Sequence, residues 1–167
     1  MYHSNKNSRN NSSPQVDEAG LKRKAIDLLA RREYSFAELE KKLIPLTEDE
    51  SLVYGVLQWL IDNSLQSDER FAGMYVRSKA LSGYGPVRIK MELNQKGVQE
   101  HVIEQAFFDV EAELNWDESV DHLIIKKARS LNMSEPKDKN KVMGYLQRRG
   151  FNLDQIYAGL SRHETEA

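Results

Sequence analysis

Apolar residues recur along this chain at two nested periods, the three-to-four-residue spacing of amphipathic helices and a longer one near fifty residues. Leu52, Val53, Val56, Leu57 and Leu60 are followed fifty residues on, without a gap, by Val102, Ile103, Ala106, Phe107 and Val110. Upstream, Ile26, Ala30, Tyr34, Leu39 and Leu43 pair at the same offset with Val76, Ala80, Tyr84, Ile89 and Leu93. A third copy follows at an offset of 53, where Ile89, Leu93, Gly97, Ile103 and Phe107 meet Val142, Leu146, Gly150, Ile156 and Leu160. At 40% apolar content, five such matches arise by chance in about 1% of alignments. Ten at one offset indicate an internal repeat. The pattern predicts a tandem array, not one closed globule around a single cleft.

Within each copy the period is helical. Leu21, Ala25, Leu28 and Leu29 form one stripe, and Leu39 with Leu43 begins a second. Thr47 followed by Glu48, Asp49 and Glu50 predicts a helix start, a capping hydroxyl ahead of acids at the positive end of the dipole. Ser67-Asp68-Glu69 opens the next helix, and Gly83-Tyr84-Gly85-Pro86 closes it with Pro86 in the first turn of its successor. Gly97 and Gly150 are placed as left-handed caps, and Asn152 as the N-cap of the last helix. No alternating strand pattern occurs. The fold expected is all-α: nine helices in three three-helix repeats at 17–65, 66–114 and 115–163, between a disordered polar tail at 1–16 and a short tail at 164–167. Trp59 is expected to pack between units, and Trp116 to support the angle between the second and third.

A unit of about fifty residues buries too little apolar surface to stand alone, so the repeats should lean on one another. Twenty-four basic against twenty-six acidic residues leave a net charge of −2, so no global polyelectrolyte effect operates. The absence of cysteine removes disulfides and thiolate metal sites and suits a reducing compartment. The first sixteen residues lack the apolar stretch of a signal peptide, and no later segment approaches a membrane span.

Leu65-Gln66-Ser67-Asp68-Glu69-Arg70-Phe71-Ala72 with Tyr75-Val76-Arg77, then Gly85-Pro86-Val87-Arg88-Ile89-Lys90-Met91-Glu92-Leu93 running to Lys96-Gly97-Val98, and Lys141 to Phe151 form three recognisable segments. Together they resemble the RecX family. The resemblance covers roughly residues 20 to 162. It implies three tandem three-helix repeats and a cytoplasmic, monomeric, non-enzymatic modulator of the bacterial RecA recombinase. Such a protein would bind RecA–single-stranded-DNA filaments and suppress ATPase, strand exchange and coprotease activity, with weak, nonspecific contact to the single strand and none to membranes. One departure is Lys42-Leu43-Ile44-Pro45 in the first repeat, where the later ones have Lys96-Gly97 and Arg149-Gly150. The first turn is expected to differ in shape.

Catalytic chemistry finds little footing. His3, His101, His122 and His163 are scattered, and Glu118 with His122 makes two ligands without a third. Gly83-x-Gly85 lacks the strand and third glycine of a dinucleotide loop, and there is no P-loop. Glu111, Glu113, Asp117, Glu118 and Asp121 read as a solvated acidic face. No cofactor, metal or catalytic residue is expected. Basic residues are more informative: Lys126, Lys127, Arg129, Lys137, Lys139, Lys141, Arg148 and Arg149 crowd the third unit, and Arg77, Arg88 and Lys90 surround Tyr75 and Tyr84. A second group comprises Lys22, Arg23, Lys24, Arg31 and Arg32. These are candidates for contact with phosphate or an acidic partner, against ordinary solvated helix faces. Tyr84 is expected to serve the repeat core, because Tyr34 is its equivalent. The other functional classes left open are a nonspecific single-strand binder and a helical scaffold for another protein. Sequence-specific DNA reading is disfavoured, because the last helix of each unit is apolar where a recognition helix needs Arg, Asn and Gln.

Overall fold

The computed structural model describes residues 15–166, and these form helices and turns only. Helices α1 (Glu18–Leu29), α2 (Phe36–Leu43) and α3 (Glu50–Asp62) make the first unit; α4 (Asp68–Leu81), α5 (Pro86–Gln95) and α6 (Glu100–Val110) the second; α7 (Trp116–Ala128), α8 (Pro136–Arg149) and α9 (Leu153–Glu166) the third. The three helices of the second unit each start fifty residues after their counterparts in the first. The third copy slides to 53 inside α8, which has 14 residues where α5 has 10. Of the expected tail at 1–16, residues 1–14 lie outside the described ones. Val16 packs on the first core and donates its N–H to the Leu46 carbonyl at 3.1 Å. At the other end α9 continues through Glu166, where a tail was expected from 164.

Short polar side chains set the helix starts. Asp17, Ser35, Asp49, Ser67, Asn115 and Asn152 each accept from a backbone N–H two or three residues on. The cap of α3 is Asp49, not Thr47, whose hydroxyl accepts the Asp49 N–H one step earlier. Pro86 and Pro136 occupy first positions, where a missing N–H costs nothing. Gly97 (φ +78°) and Gly150 (φ +99°) are left-handed at the ends of α5 and α8.

Each unit has its own core. Leu39, Leu43, Val53, Val56 and Leu60 are buried in the first, and Ile89, Leu93, Ile103, Ala106 and Val110 take the same places in the second. In the third, Val142, Leu146 and Ile156 repeat the places of Ile89, Leu93 and Ile103, and Leu160 takes that of Phe107. The opening helices obey the period less well. Val76 and Ala80 are buried, whereas Ile26 is 42% exposed and Ala30 lies beyond the end of α1. The buried stripe of α1 is instead Leu21, Ala25 and Leu28, and α1 stops two residues short of α4 in register. Trp59 packs on the first core under the Lys22 ammonium, 4.5 Å from its ring, so it is not a spacer between units. Trp116 does bridge units: it packs on both the second and third cores, between Phe107 (6.3 Å) and Phe151 (6.5 Å, edge-on).

The two junctions are built alike. At the first, the Ser35 hydroxyl donates to the Lys96 carbonyl (2.7 Å) and Ala37 fills the space a side chain on Gly97 would need. At the second, Gly85 N–H donates to the Arg149 carbonyl (2.7 Å) and Val87 N–H to that of Gly150 (3.0 Å). In both, the glycine turn closing one unit's middle helix docks on the start of the preceding unit's middle helix. The first unit's turn differs: Ile44-Pro45-Leu46 forms a short 3-10 segment, and the Leu46 carbonyl accepts the Val16 N–H. Among the described residues no hydrogen bond or ion pair joins the first unit to the third, as a linear array requires.

Candidate functional site

A row of tyrosines and cations runs across both junctions. In the first unit the Arg32 guanidinium lies 3.6 Å from the Tyr34 ring centroid and pairs with Glu38 (3.0 Å). Glu38 also receives Lys96 from the second unit at 3.4 Å, and Lys96 lies 5.6 Å from the Tyr75 ring. The Tyr75 hydroxyl donates to Glu92 at 2.6 Å. Lys79, one turn after Tyr75 on α4, faces both the Tyr75 and Tyr84 rings (5.5 and 5.1 Å). Tyr84 also receives Arg88 at 4.4 Å and, from the third unit, Arg149 at 4.7 Å. Arg149 continues to Tyr145 (5.5 Å), which Lys127 approaches at 5.0 Å. Each spacing falls within reach of a ring quadrupole for a cation.

Two carboxylates sit within the row, and both are held charged. Burial pushes the Glu38 carboxyl up, but Arg32, the Ser35 amide and Lys96 outweigh it and bring it below the ordinary 4.5. Burial likewise raises Glu92, and the hydrogen bonds from Tyr75 and Arg88 reverse the sign. The Tyr75 hydroxyl is pushed up by burial first and by its bond to Glu92 second, so it remains a donor. Arg32, Lys79, Lys96, Arg88, Arg149 and Lys127 thus outnumber Glu38 and Glu92 by four positive charges. These cations are held against tyrosine rings, so less rotamer freedom would be lost on meeting an anion.

The sequence-predicted residues divide. Arg88, Arg149 and Lys127 belong to the row. Arg77 does not: it makes a two-pronged pair with Glu113 (2.8 and 3.1 Å). Lys90 lies over Phe107 at 5.0 Å instead of near a tyrosine. Lys139 is paired with Glu164, and Lys141 with Asp138 at 3.5 Å. Lys126, Arg129, Lys137 and Arg148 are exposed and make no ion pair among the described residues. Tyr84 packs on the second core, as expected, with cations lying against its ring. Sequence reading missed Lys79 and Lys96. Lys79 carries a local signal, since it stands four residues after Tyr75 on one helix face. Lys96 is placed by the junction and has none.

No group of three or more histidine, cysteine, aspartate or glutamate side chains among the described residues could hold a metal. No helix among them is long and apolar enough to cross a membrane. Residues 67–106 match the family profile described as the second three-helix domain of RecX, and residues 117–160 the third. The regulatory protein RecX of Pseudomonas savastanoi pv. phaseolicola is 37% identical over 136 residues, 81% of this chain and 86% of that one. The regulatory protein RecX of Halorhodospira halophila is 38% identical over 137 residues, covering 80% and 82%. The chain belongs to the RecX family. The crystal structure of RecX from Lactobacillus salivarius superposes with a TM-score of 0.78 at 25% identity, over 89% of this chain and 97% of that one.

The segments that carried the RecX resemblance turn out to be the interlocks between repeats. Gln66 is buried and donates to the Tyr34 carbonyl (3.2 Å), and Asp68 accepts the first N–H of α2, from Phe36 (2.8 Å). Arg70 ties Glu33 to the Ser64 and Leu65 carbonyls. Gly85, Gly97 and Gly150 build the docking turns, and Arg88 donates to the Arg148 carbonyl (3.1 Å). In this RecX family member the signature residues fix the repeat geometry, and the cationic row lies over the seams they make.

Proposed function

We propose that the protein is a non-enzymatic inhibitor of the RecA recombinase, acting in the cytoplasm as a monomer laid along the RecA–single-stranded-DNA filament. Membership of a family of regulatory proteins supports this reading. The observation that carries it is the cation–tyrosine row crossing all three repeats. A filament is a periodic polyanion with acidic and phosphate surfaces, and a linear array with ordered cations on successive repeats can touch it at several points. Several weak contacts joined in one chain give avidity without one tight site. Suppression of ATPase, strand exchange and coprotease activity then requires that the row prefer one filament state, since equal affinity for two states shifts neither.

Titrating the protein into RecA on single-stranded DNA and following ATP hydrolysis tests the proposal. Loss of hydrolysis at protein levels that leave bare single strand unbound is the expected result. Hydrolysis unchanged at every ratio would refute it. The row also suits a weak, nonspecific single-strand binder, because ring and guanidinium planes can stack on bases. Inhibition only at ratios that coat the bare strand would favour that second reading.

A further inference from the structure

Two grooves of the molecule are copies of one another at the repeat spacing. One, of about 890 Å³, lies between α2 and the Gly97 turn and includes Ala37 and Lys41. Its counterpart, of about 460 Å³, lies between α5 and the Gly150 turn and includes Val87 and Met91, fifty residues later. The frame is shared and the chemistry is not. Where the first groove has Ala37 and Lys41, the second has the apolar pair Val87 and Met91, one turn apart and 54% and 53% exposed. Its rim carries Arg88 on the α5 side and Arg148 on the α8 side. Arg148 makes no ion pair among the described residues. The groove's one carboxylate, Glu92, is already engaged by Tyr75 (2.6 Å) and Arg88 (3.2 Å) and does not pair with Arg148.

We infer that the α5–α8 groove docks an acidic protein segment that carries one bulky apolar side chain. That side chain covers Val87 and Met91, and carboxylates beside it meet Arg148 and the Nη2 of Arg88, whose Nε and Nη1 are already engaged. An apolar centre inside a charged rim is the usual anatomy of a protein contact, and paired guanidinium groups recognise carboxylates by geometry as well as charge. Aliphatic and thioether groups offer a base no stacking plane, which sets this groove apart from the tyrosine row. The inference deepens the RecA-filament reading and rests on it for where such a segment is met. It adds that part of the recognition is protein to protein.

The test uses the full chain with methyl-labelled methionine and three probes: a synthetic Asp/Glu peptide with one central leucine, the same peptide with alanine there, and oligothymidylate. The leucine peptide should shift the Met91 methyl resonance while leaving that of Met74, also exposed, in place. Binding of that peptide, read by anisotropy, should weaken about tenfold in Met91→Glu and in Arg148→Glu with helix content unchanged. The alanine peptide should bind several-fold more weakly than the leucine peptide. An unmoved Met91 resonance, equal affinity for the two peptides, or a larger Met91 shift with oligothymidylate would overturn the inference. RecA ATPase measured alongside separates the two failures. Wild-type protein that does not inhibit removes the filament reading while a Met91 response still stands. Inhibition by wild type and by Met91→Glu alike, with no peptide response, removes the groove alone.

Discussion

At Gly150 two constraints coincide. Its φ of +99° is a region that L side chains enter only at a cost, and a Cβ there would collide with the Cβ and backbone nitrogen of Arg88. Gly97 shows the same pairing, with φ +78° and Ala37 opposite. The turn is therefore glycine because it is both a helix cap and a backbone-to-backbone dock. Gly55 is the contrast: it lies inside α3 with nothing within 4 Å of where a Cβ would stand. Gly150→Ala should cost about 2 kcal/mol or more, and Gly55→Ala should stabilise by about 0.5–1 kcal/mol. Urea denaturation of the two variants checks both signs. An unchanged midpoint for Gly150→Ala would mean the interlock contributes nothing to stability.

The interlocks also show which elements could be recognised before the fold was known. Middle and last helices were legible because Leu39, Leu43, Val53 and Leu60 and their copies in the second unit all face a core, so burial and period agree. The opening helix was not: the pairing of Ile26 with Val76 matches in hydrophobicity but not in burial, since α1 turns a different stripe inward. The cationic row was half legible for a related reason. Lys79 and Tyr75 share a helix face, whereas Arg149 meets Tyr84 only because the Gly150 turn docks on Gly85. The two junctions differ in their filling, polar at the first through Ser35, Gln66 and Asp68, aromatic at the second through Trp116. Trp116→Ala should cost about 3 kcal/mol and lower amide-exchange protection in α7 to α9 before α1 to α3, because stability in an array is local plus nearest-neighbour. Equal loss in all three units would contradict that. The first junction should respond to acid instead. Glu38 titrates below its ordinary 4.5 when folded, so the unfolded chain binds its proton first. Its contribution is complete above about pH 4.5 and declines as pH falls through the folded value. Glu38→Gln should flatten the fall of the urea midpoint with acid.

On the scale of the whole molecule, a balanced composition conceals a directional charge distribution. Six cations of the row face two carboxylates, while Arg77, Lys139 and Lys141 are matched by acids elsewhere. Net charge is thus the wrong variable, and the arrangement of charge along the array is the right one. If the row meets phosphates, affinity for single-stranded DNA should fall with salt by a log–log slope of about 0.7 for each phosphate neutralised. Lys79→Glu with Lys127→Glu removes cations from the second and third units without touching a core, since both side chains lie at the surface over tyrosine rings. That double variant should keep its helix content, bind the single strand more weakly and show a salt slope reduced by roughly 1.4. Lys139→Glu, which changes total charge by half as much at a site already paired with Glu164, should leave the slope nearly intact. The comparison is decisive because a diffuse attraction would respond to charge wherever it is placed. A slope that tracks total charge instead of position would show that the row is only a solvated seam.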